Sequence, residues 1–460
     1  MKGRGRILVC VLAVVVLAAA LGAIAAGGAR DAAAASCTEA QQQASSAALA
    51  VFRTAMPARQ RAFNATHRSA AARRAFGAAQ RKRLASLVGV AACTPISPSD
   101  APCSPELHFV NGTFNEAGRD VRALGVRGEL KTAVLFVDFP DAPAVQSASA
   151  LYDRLVPPAV DWLGAVTYGR LTLSAPRLPT WYRMPRPAGS YSIDFGGSPS
   201  AFTSFVSDAV GAAQSQVDFA AYDLLYVVPS VRIGHADGEA YFGSSLVVNG
   251  SATRHVVALV APDVDYHVLD HELGHELGLP DLYSYADVAS AVGIFQYAGG
   301  WDVMSDADVG ASYIGWEKWL ERWIDPEQIR CADRGGESIE VTVQPLESVG
   351  GVKLLVVPVS DAKLYAVEVR QQTGVDAGLC DHGVLVYTVD GSVATGDGPV
   401  QVMTASTAHD SVRLRACGNR YDAALGVGAG ETASYEDDAV RVDVLSANAD
   451  GSYRVRVTKK

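Results

Sequence analysis

The middle of the chain alternates between continuous apolar runs and amphipathic stretches. Apolar runs occupy residues 132–141, 223–229 and 255–261. Such runs are typical of strands that are buried on both faces of a sheet. Amphipathic stretches at 148–165 and 199–214 lie between them and predict helices. The alternation of strands and helices predicts an α/β layer.

The pattern changes at about residue 335. Short runs of alternating apolar and polar residues then recur, separated by turns rich in Gly, Asp and Asn, and they lie at 338–346, 352–359, 363–370, 383–390, 439–446 and 452–459. This pattern of short alternating runs and turns predicts an all-β sandwich or barrel. Upstream of it, residues 168–185 alternate like strands, and the Trp-rich stretch 311–323 predicts a further helix.

The N-terminus has the pattern of a secretory signal peptide over residues 1–35. Three basic residues precede an apolar run from residue 7 to about residue 26, and small residues follow as far as Ala35. Cleavage would give a secreted, extracellular protein without a membrane attachment. If the segment is retained, a membrane-anchored form results.

Residues 36–93 are rich in Ala, Gln and Arg and are interrupted by Pro57, which predicts a basic helical hairpin. The hairpin has eight Arg and one Lys against one Glu, whereas the whole chain has a net charge of −10. An acidic body could attract this hairpin, which is a candidate prosegment or an accessory domain. Its scarcity of aromatic residues argues against nucleic-acid binding. Residues 94–129 form a predicted linker rich in Pro and Ser at its start.

The chain has seven cysteines, and six remain once Cys10 is removed with the signal segment. An even number of cysteines outside the cell predicts disulfides. Sequence does not fix the connectivity, and the pairings we expect are Cys37 with Cys93, Cys103 with Cys331, and Cys380 with Cys417.

The strongest chemical signal is the stretch DYHVLDHELGHELGLPDLYSY at residues 265–285. On a helix, His271 and His275 lie one turn apart on the same face, so both imidazoles can bind one metal ion. Glu272 is about 100° around the helix from His271, which places it beside such an ion, where it can act on a bound water.

The residues after the second histidine predict a third ligand. Gly278 can adopt the left-handed conformation that ends a helix, and Pro280 prevents continuation. Asp281 is the first metal-binding side chain after the turn and could swing back to the histidines. Two imidazoles and one carboxylate favour a single catalytic zinc ion. Glu317, further along the chain, is the alternative third ligand.

Other residues could support the site. Met304 lies in the turn WDVMSD, about thirty residues after the motif, and predicts a hydrophobic floor beneath the metal. Asp270, Tyr283 and Tyr313 are candidates for a second-sphere role, since a phenol can stabilise an oxyanion. Tyrosines at such places more often serve packing.

Several segments in order resemble the immune inhibitor A-type secreted zinc metalloproteases of bacteria, family six of the metallopeptidases. They are VLFVDFPD, YGRLTLS with WYRMP, VDFAAYD, HELGHELGLPDLY, WDVMSD, and VEVRQQTGVDAGL with GVLVYTVD. The resemblance covers residues 130 to 460 and implies a metzincin-like catalytic domain at 130–334 and a β domain at 335–460. It also implies His271, His275 and Asp281 as ligands, Glu272 as the base and Met304 as the Met-turn residue.

The sequence therefore predicts a monomeric zinc endopeptidase that acts on proteins or peptides. The main alternative is a surface-binding or adhesive protein whose protease-like domain is inactive, and a zinc hydrolase of non-peptide substrates is a weaker one. The natural substrate and a structural calcium ion are left open. The basic hairpin has no confident match in the family, and the β portion is shorter than in the larger toxins.

Overall fold

The computed structural model describes residues 124–460, with gaps at 179, 194–198, 236, 242–245, 249–250, 254, 291–292, 405–422 and 429–430. The signal segment, the basic hairpin and most of the 94–129 linker lie outside the described residues. Within the described residues, the fold is mixed α/β with several sheets and few helices.

The described residues of the first half form one large sheet, one two-stranded sheet and four α-helices. The elements in chain order are β1 (Gly128–Asp138), α1 (Ala148–Val166), β2 (Leu171–Ser174), β3 (Trp181–Arg183), α2 (Pro199–Ala213), β4 (Leu224–Pro229), β5 (Gly238–Tyr241), β6 (Leu246–Val248), β7 (Ser251–Thr253), β8 (Val256–Leu259), α3 (Tyr266–Leu277) and α4 (Gly315–Leu320). The strands and helices predicted from the apolar and amphipathic runs are present, with bounds that differ by a few residues.

The large sheet has the strand order β2-β1-β4-β8-β5, and β3 also pairs with β1. Its central strands are parallel. The last strand, β5, runs antiparallel to β8 and contacts α3. The short strands β6 and β7 pair with each other. One antiparallel strand therefore forms the edge of the sheet beside the helix that carries the histidines.

Strand β1 is buried on both faces, as its continuous apolar sequence predicts. Val134 and Phe136 face one hydrophobic cluster, which includes residues of α1 and α3. Leu135 and Val137 face a second cluster, which includes residues of α2. Side chains of a strand alternate between its two faces, so helices cover both faces of this sheet.

The second half consists of two sheets. Its strands are β9 (Ile329–Cys331), β10 (Ser338–Val343), β11 (Leu354–Pro358), β12 (Lys363–Arg370), β13 (Gly383–Asp390), β14 (Val400–Val402), β15 (Ser434–Glu436), β16 (Val440–Ala447) and β17 (Tyr453–Lys459). The strand orders are β14-β13-β12-β11-β9 and β10-β17-β16-β15. The two sheets together enclose one hydrophobic cluster.

The five-stranded sheet also packs against the first half. Leu354, Ala366, Leu385 and Tyr387 belong to the same cluster as the residues of α1 and α3. This sheet begins with β9, which precedes residue 335 in the chain. The two halves therefore share a core, and the boundary that we place at 335 stays a prediction.

Helix α4 begins later than the predicted stretch 311–323 because side chains accept from the amides that a first turn at 311 would use. In a helix from residue 311, the amides of Gly315 and Trp316 would donate to carbonyls four residues earlier. They donate instead to the Glu368 carboxylate at 2.6 Å and to the Tyr387 hydroxyl at 2.9 Å. Ile314, directly before the helix, has an extended backbone. Local propensity therefore gives way to tertiary contacts.

Arg370, at the end of β12, is fully buried and binds the segment that precedes α4. Its guanidinium donates to the carbonyl oxygens of Trp301 at 2.8 Å and Ser312 at 3.2 Å. It also pairs with the buried carboxylates of Asp376 at 2.7 Å and Glu368 at 3.2 Å. We call residues 124–328 the α/β half and residues 329–460 the β half. The Arg370 cation of the β half thus binds a loop of the α/β half.

Cys331 and Cys380 are each disulfide-bonded. The other cysteines lie outside the described residues, so the predicted connectivity stays a prediction. None of the helices in the described part of the chain has the length and apolar character needed to cross a membrane.

The Arg370 contacts predict that Arg370→Ala lowers the free energy of unfolding by about 3–5 kcal/mol, because two buried carboxylates lose their cation. The denaturation midpoint in urea measures the loss. Arg441→Ala is the control, since Arg441 forms an exposed ion pair with Glu436, and it should leave the urea midpoint nearly unchanged. Equal effects of the two substitutions would contradict the stabilising role of the Arg370 contacts.

Candidate metal centre

Helix α3 starts and stops where its sequence predicts. Asp265 caps the N-terminus, and its carboxylate accepts from the His267 amide at 3.0 Å. Gly278 ends the helix with a φ of 101°, which a residue with a side chain rarely adopts. Leu273 and Leu277 lie in the hydrophobic core. The helix therefore buries one face and turns the histidines toward the chain that follows it.

The helix and its turn bring His271, His275 and Asp281 together. One potential ligand atom from each residue lies within 4.8 Å of the others. The Nε2 atoms of His271 and His275 lie 3.1 Å and 3.2 Å from the same oxygen, Oδ1 of Asp281. The two rings are perpendicular, with centroids 4.9 Å apart. The three atoms converge on one small volume.

Backbone carbonyls set the orientation of both rings. Nδ1 of His271 lies 2.8 Å from the Val303 carbonyl oxygen, and Nδ1 of His275 lies 2.9 Å from the Leu279 carbonyl oxygen. A carbonyl only accepts hydrogen bonds, so each Nδ1 carries a proton, and a ring in its neutral form has its lone pair on Nε2. The Nε2 lone pairs then face Asp281, which is the tautomer that metal-binding histidines use.

The donor set fits a divalent cation. Asp281 is buried, and its Oδ1 has no hydrogen-bond partner among the described residues. Two lone pairs aimed at an anionic oxygen repel it unless a positive charge lies between them. Although burial lowers the pKa of His275, the Asp281 carboxylate raises it to about 10. The cluster thus favours a cation between the rings, either a proton or a metal ion.

Glu272 lies between α3 and the edge strand β5. A Cβ atom added at Gly238 would lie 2.5 Å from its Oε1, so the strand passes directly over the carboxylate. Glu272 is buried, and burial raises the pKa of its carboxyl above the ordinary value. A carboxyl with a raised pKa is better suited to accept a proton than an exposed one.

Met304 lies beneath the helix, fully buried. A Cβ atom added at Gly274 would lie 2.4 Å from the Met304 sulfur. The Met304 amide donates to Asp302 at 2.6 Å, and its carbonyl accepts from Leu282 at 3.0 Å. The turn that contains Met304 therefore supports α3, and its Val303 carbonyl orients a histidine.

The candidates for second-sphere roles occupy different places. The Tyr283 ring lies against the His271 ring, with centroids 6.2 Å apart. Tyr313 is fully buried, and its hydroxyl donates to the Asp270 carbonyl at 2.7 Å. The oxyanion role considered for Tyr313 does not fit this position. The Asp270 carboxyl is fully buried, and burial raises its pKa.

The alternative ligand Glu317 does not join the cluster. It is fully buried beside Asp302, and its pKa is raised first by burial and then by that neighbouring carboxyl. Asp302 accepts two backbone hydrogen bonds, which favour the ionised form of its carboxyl over that of Glu317. The place of Glu317 is in the core, whereas Asp281 reaches the histidines.

Two residues that the sequence analysis did not identify touch Asp281. The Tyr285 hydroxyl donates to Oδ2 of Asp281 at 2.6 Å. Thr395, from the turn between β13 and β14, accepts from the Asp281 amide at 2.9 Å through Oγ1. Tyr285 is close in sequence to the motif, but Thr395 follows Asp281 by 114 residues, and nothing in the sequence marks it.

No protein-family model matches the chain, and no curated protein is similar enough to count as a match.

The contact between Gly274 and Met304 predicts that Gly274→Ala destabilises the protein by about 1–3 kcal/mol through overpacking. Gly164→Ala is the matched control within α1, since nothing lies within 4 Å of a Cβ atom there. This substitution should stabilise the protein by up to about 1 kcal/mol. Thermal unfolding measures both changes, and a stabilising Gly274→Ala would contradict the packing described.

Proposed function

We propose that the chain is a secreted zinc metalloendopeptidase with a metzincin-like catalytic domain, and that His271, His275 and Asp281 hold the zinc ion. The observation that carries the proposal is the convergence of two Nε2 atoms on Oδ1 of the buried Asp281 carboxylate. Imidazole nitrogens with one carboxylate are a ligand set of catalytic zinc sites.

A zinc ion bound to this set would supply Lewis-acid chemistry, polarising a peptide carbonyl and making water more acidic. Glu272 then accepts the proton of the attacking water and transfers it to the leaving amine. Its burial between α3 and β5 supports this role, because the raised pKa of its carboxyl brings proton uptake closer to neutral pH.

The edge strand β5 offers a binding place for a peptide substrate. Within the described residues β5 pairs only with β8, so one side of its backbone has no strand partner. An extended peptide can add to such an edge through main-chain hydrogen bonds. Gly238 sits against Glu272, so a peptide that pairs with this strand would lie next to the proposed base.

The proposal includes secretion, which rests on the charge and apolar pattern of residues 1–35. It also includes a monomeric enzyme that acts on protein or peptide substrates. The basic hairpin at 36–93 is a candidate inhibitory prosegment of this enzyme. These points concern residues or partners beyond the described part of the chain.

The purified chain should contain stoichiometric zinc and hydrolyse casein, and chelation of the metal should abolish hydrolysis. Asp281→Ala should reduce the zinc content because the site loses its only anionic ligand. Zinc content by atomic absorption and casein hydrolysis are measured before and after proteolytic removal of the hairpin. Zinc without hydrolysis in both forms would favour the inactive binding protein, and an absence of zinc would contradict the enzyme.

Glu272→Gln should lower the casein hydrolysis rate by at least about 100-fold, since general acid–base catalysis contributes that much or more. Zinc content should stay unchanged, because Glu272 is not a proposed ligand. Glu129→Gln is the control, since Glu129 is an exposed residue of β1, and it should retain the full rate. A Glu272→Gln variant with normal turnover would rule out the role of the base.

A further inference from the structure

The turn at 391–399, between β13 and β14, is bound to the segment that carries the third ligand. The Asp281 amide donates to Oγ1 of Thr395 at 2.9 Å. The Gly396 amide donates to the Asp281 carbonyl at 3.2 Å, and the Tyr285 amide donates to the Gly396 carbonyl at 3.0 Å. Three hydrogen bonds thus fix the backbone of Asp281 and Tyr285 to the β half.

The same turn fixes the Tyr285 ring. Gly396 has a φ of +75°, and a Cβ atom there would lie 2.1 Å from the ring. The ring therefore packs directly on the backbone of Gly396. The side chain of any other residue at this position would collide with the ring. Held this way, the Tyr285 hydroxyl donates to Oδ2 of Asp281 at 2.6 Å and lies 3.5 Å from Oγ1 of Thr395.

These contacts divide the two oxygens of Asp281 between two tasks. Oδ2 accepts from Tyr285, whereas Oδ1 faces the Nε2 atoms of His271 and His275 at 3.1 Å and 3.2 Å. A carboxylate that is free to rotate could offer either oxygen, or both, to a metal. A hydrogen bond to one oxygen selects the other as the ligand atom.

We propose that Tyr285 and Thr395 are positioning residues for the metal site, and that the β half thereby sets its metal affinity. This inference rests on the proposed function, because it assumes that Asp281 binds zinc. In this role neither residue binds Oδ1, the atom that is proposed to bind zinc. Tyr285 orients the carboxylate through Oδ2, and Thr395 fixes the backbone from which the carboxylate extends.

The test uses Tyr285→Phe and Thr395→Val in the full chain. Each change removes a hydroxyl and keeps a similar volume. We expect each variant to bind zinc about 10–100-fold more weakly, measured by competition with a chromophoric chelator. The visible absorption of the cobalt(II)-substituted protein should also change, since it reports the ligand geometry. Thr395→Ser keeps the hydroxyl and should restore the wild-type affinity and spectrum.

Tyr191→Phe is the matched control. The Tyr191 hydroxyl donates to Asp208 at 2.6 Å, the same length as the bond between Tyr285 and Asp281. Tyr191 belongs to the cluster on the other face of the large sheet from α3. Its variant should bind zinc like the wild type, so a loss confined to Tyr285→Phe and Thr395→Val cannot come from the mere removal of a hydrogen-bonded hydroxyl.

The outcomes separate the two proposals. Wild-type protein that binds no zinc would overturn the proposed function and this inference with it. Wild-type protein that binds zinc, with unchanged affinity and cobalt spectrum in Tyr285→Phe and Thr395→Val, would overturn the positioning role alone. Weaker binding in both variants, rescue by Thr395→Ser and an unchanged Tyr191→Phe would support it.

Discussion

The candidate site depends on two hydrogen bonds between imidazoles and backbone carbonyls. Val303 and Leu279 each hold one Nδ1 atom, so both Nε2 atoms point at a single oxygen. Without these bonds each imidazole ring could rotate. A shared helix face alone would then not direct both Nε2 atoms at one oxygen of Asp281. The carbonyls themselves are placed by the rest of the fold. The Leu279 carbonyl follows the stop at Gly278, and the Val303 carbonyl lies in a turn that Asp302 holds.

The β half takes part in this arrangement from two sides. Arg370 binds the Trp301 carbonyl at the start of the turn beneath α3. Thr395 and Gly396 bind Asp281, which lies between the histidines and that turn in the chain. One hydrophobic cluster also runs through both halves. The β half is therefore built into the site and does not behave as a separable appendage in this structure.

The local part of the site could be predicted because its causes are local. The spacing of His271 and His275 follows from the helix repeat, and Gly278 ends the helix for a conformational reason. The buried strands could be predicted from their apolar runs, as β1 shows. Long-range polar contacts produce no such pattern in the sequence. The role of Thr395 depends on a turn far along the chain, and the late start of α4 depends on acceptors in Glu368 and Tyr387.

The chain order of Asp281 and Thr395 has a consequence for biosynthesis. A ribosome releases the two histidines and their carboxylate long before it releases the threonine that steadies them, which lies 114 positions later. A nascent chain therefore lacks the finished arrangement until the turn at 391–399 has also emerged. Under the proposed function, the metal site would thus be completed only after most of the β strands that follow α3 have been synthesised.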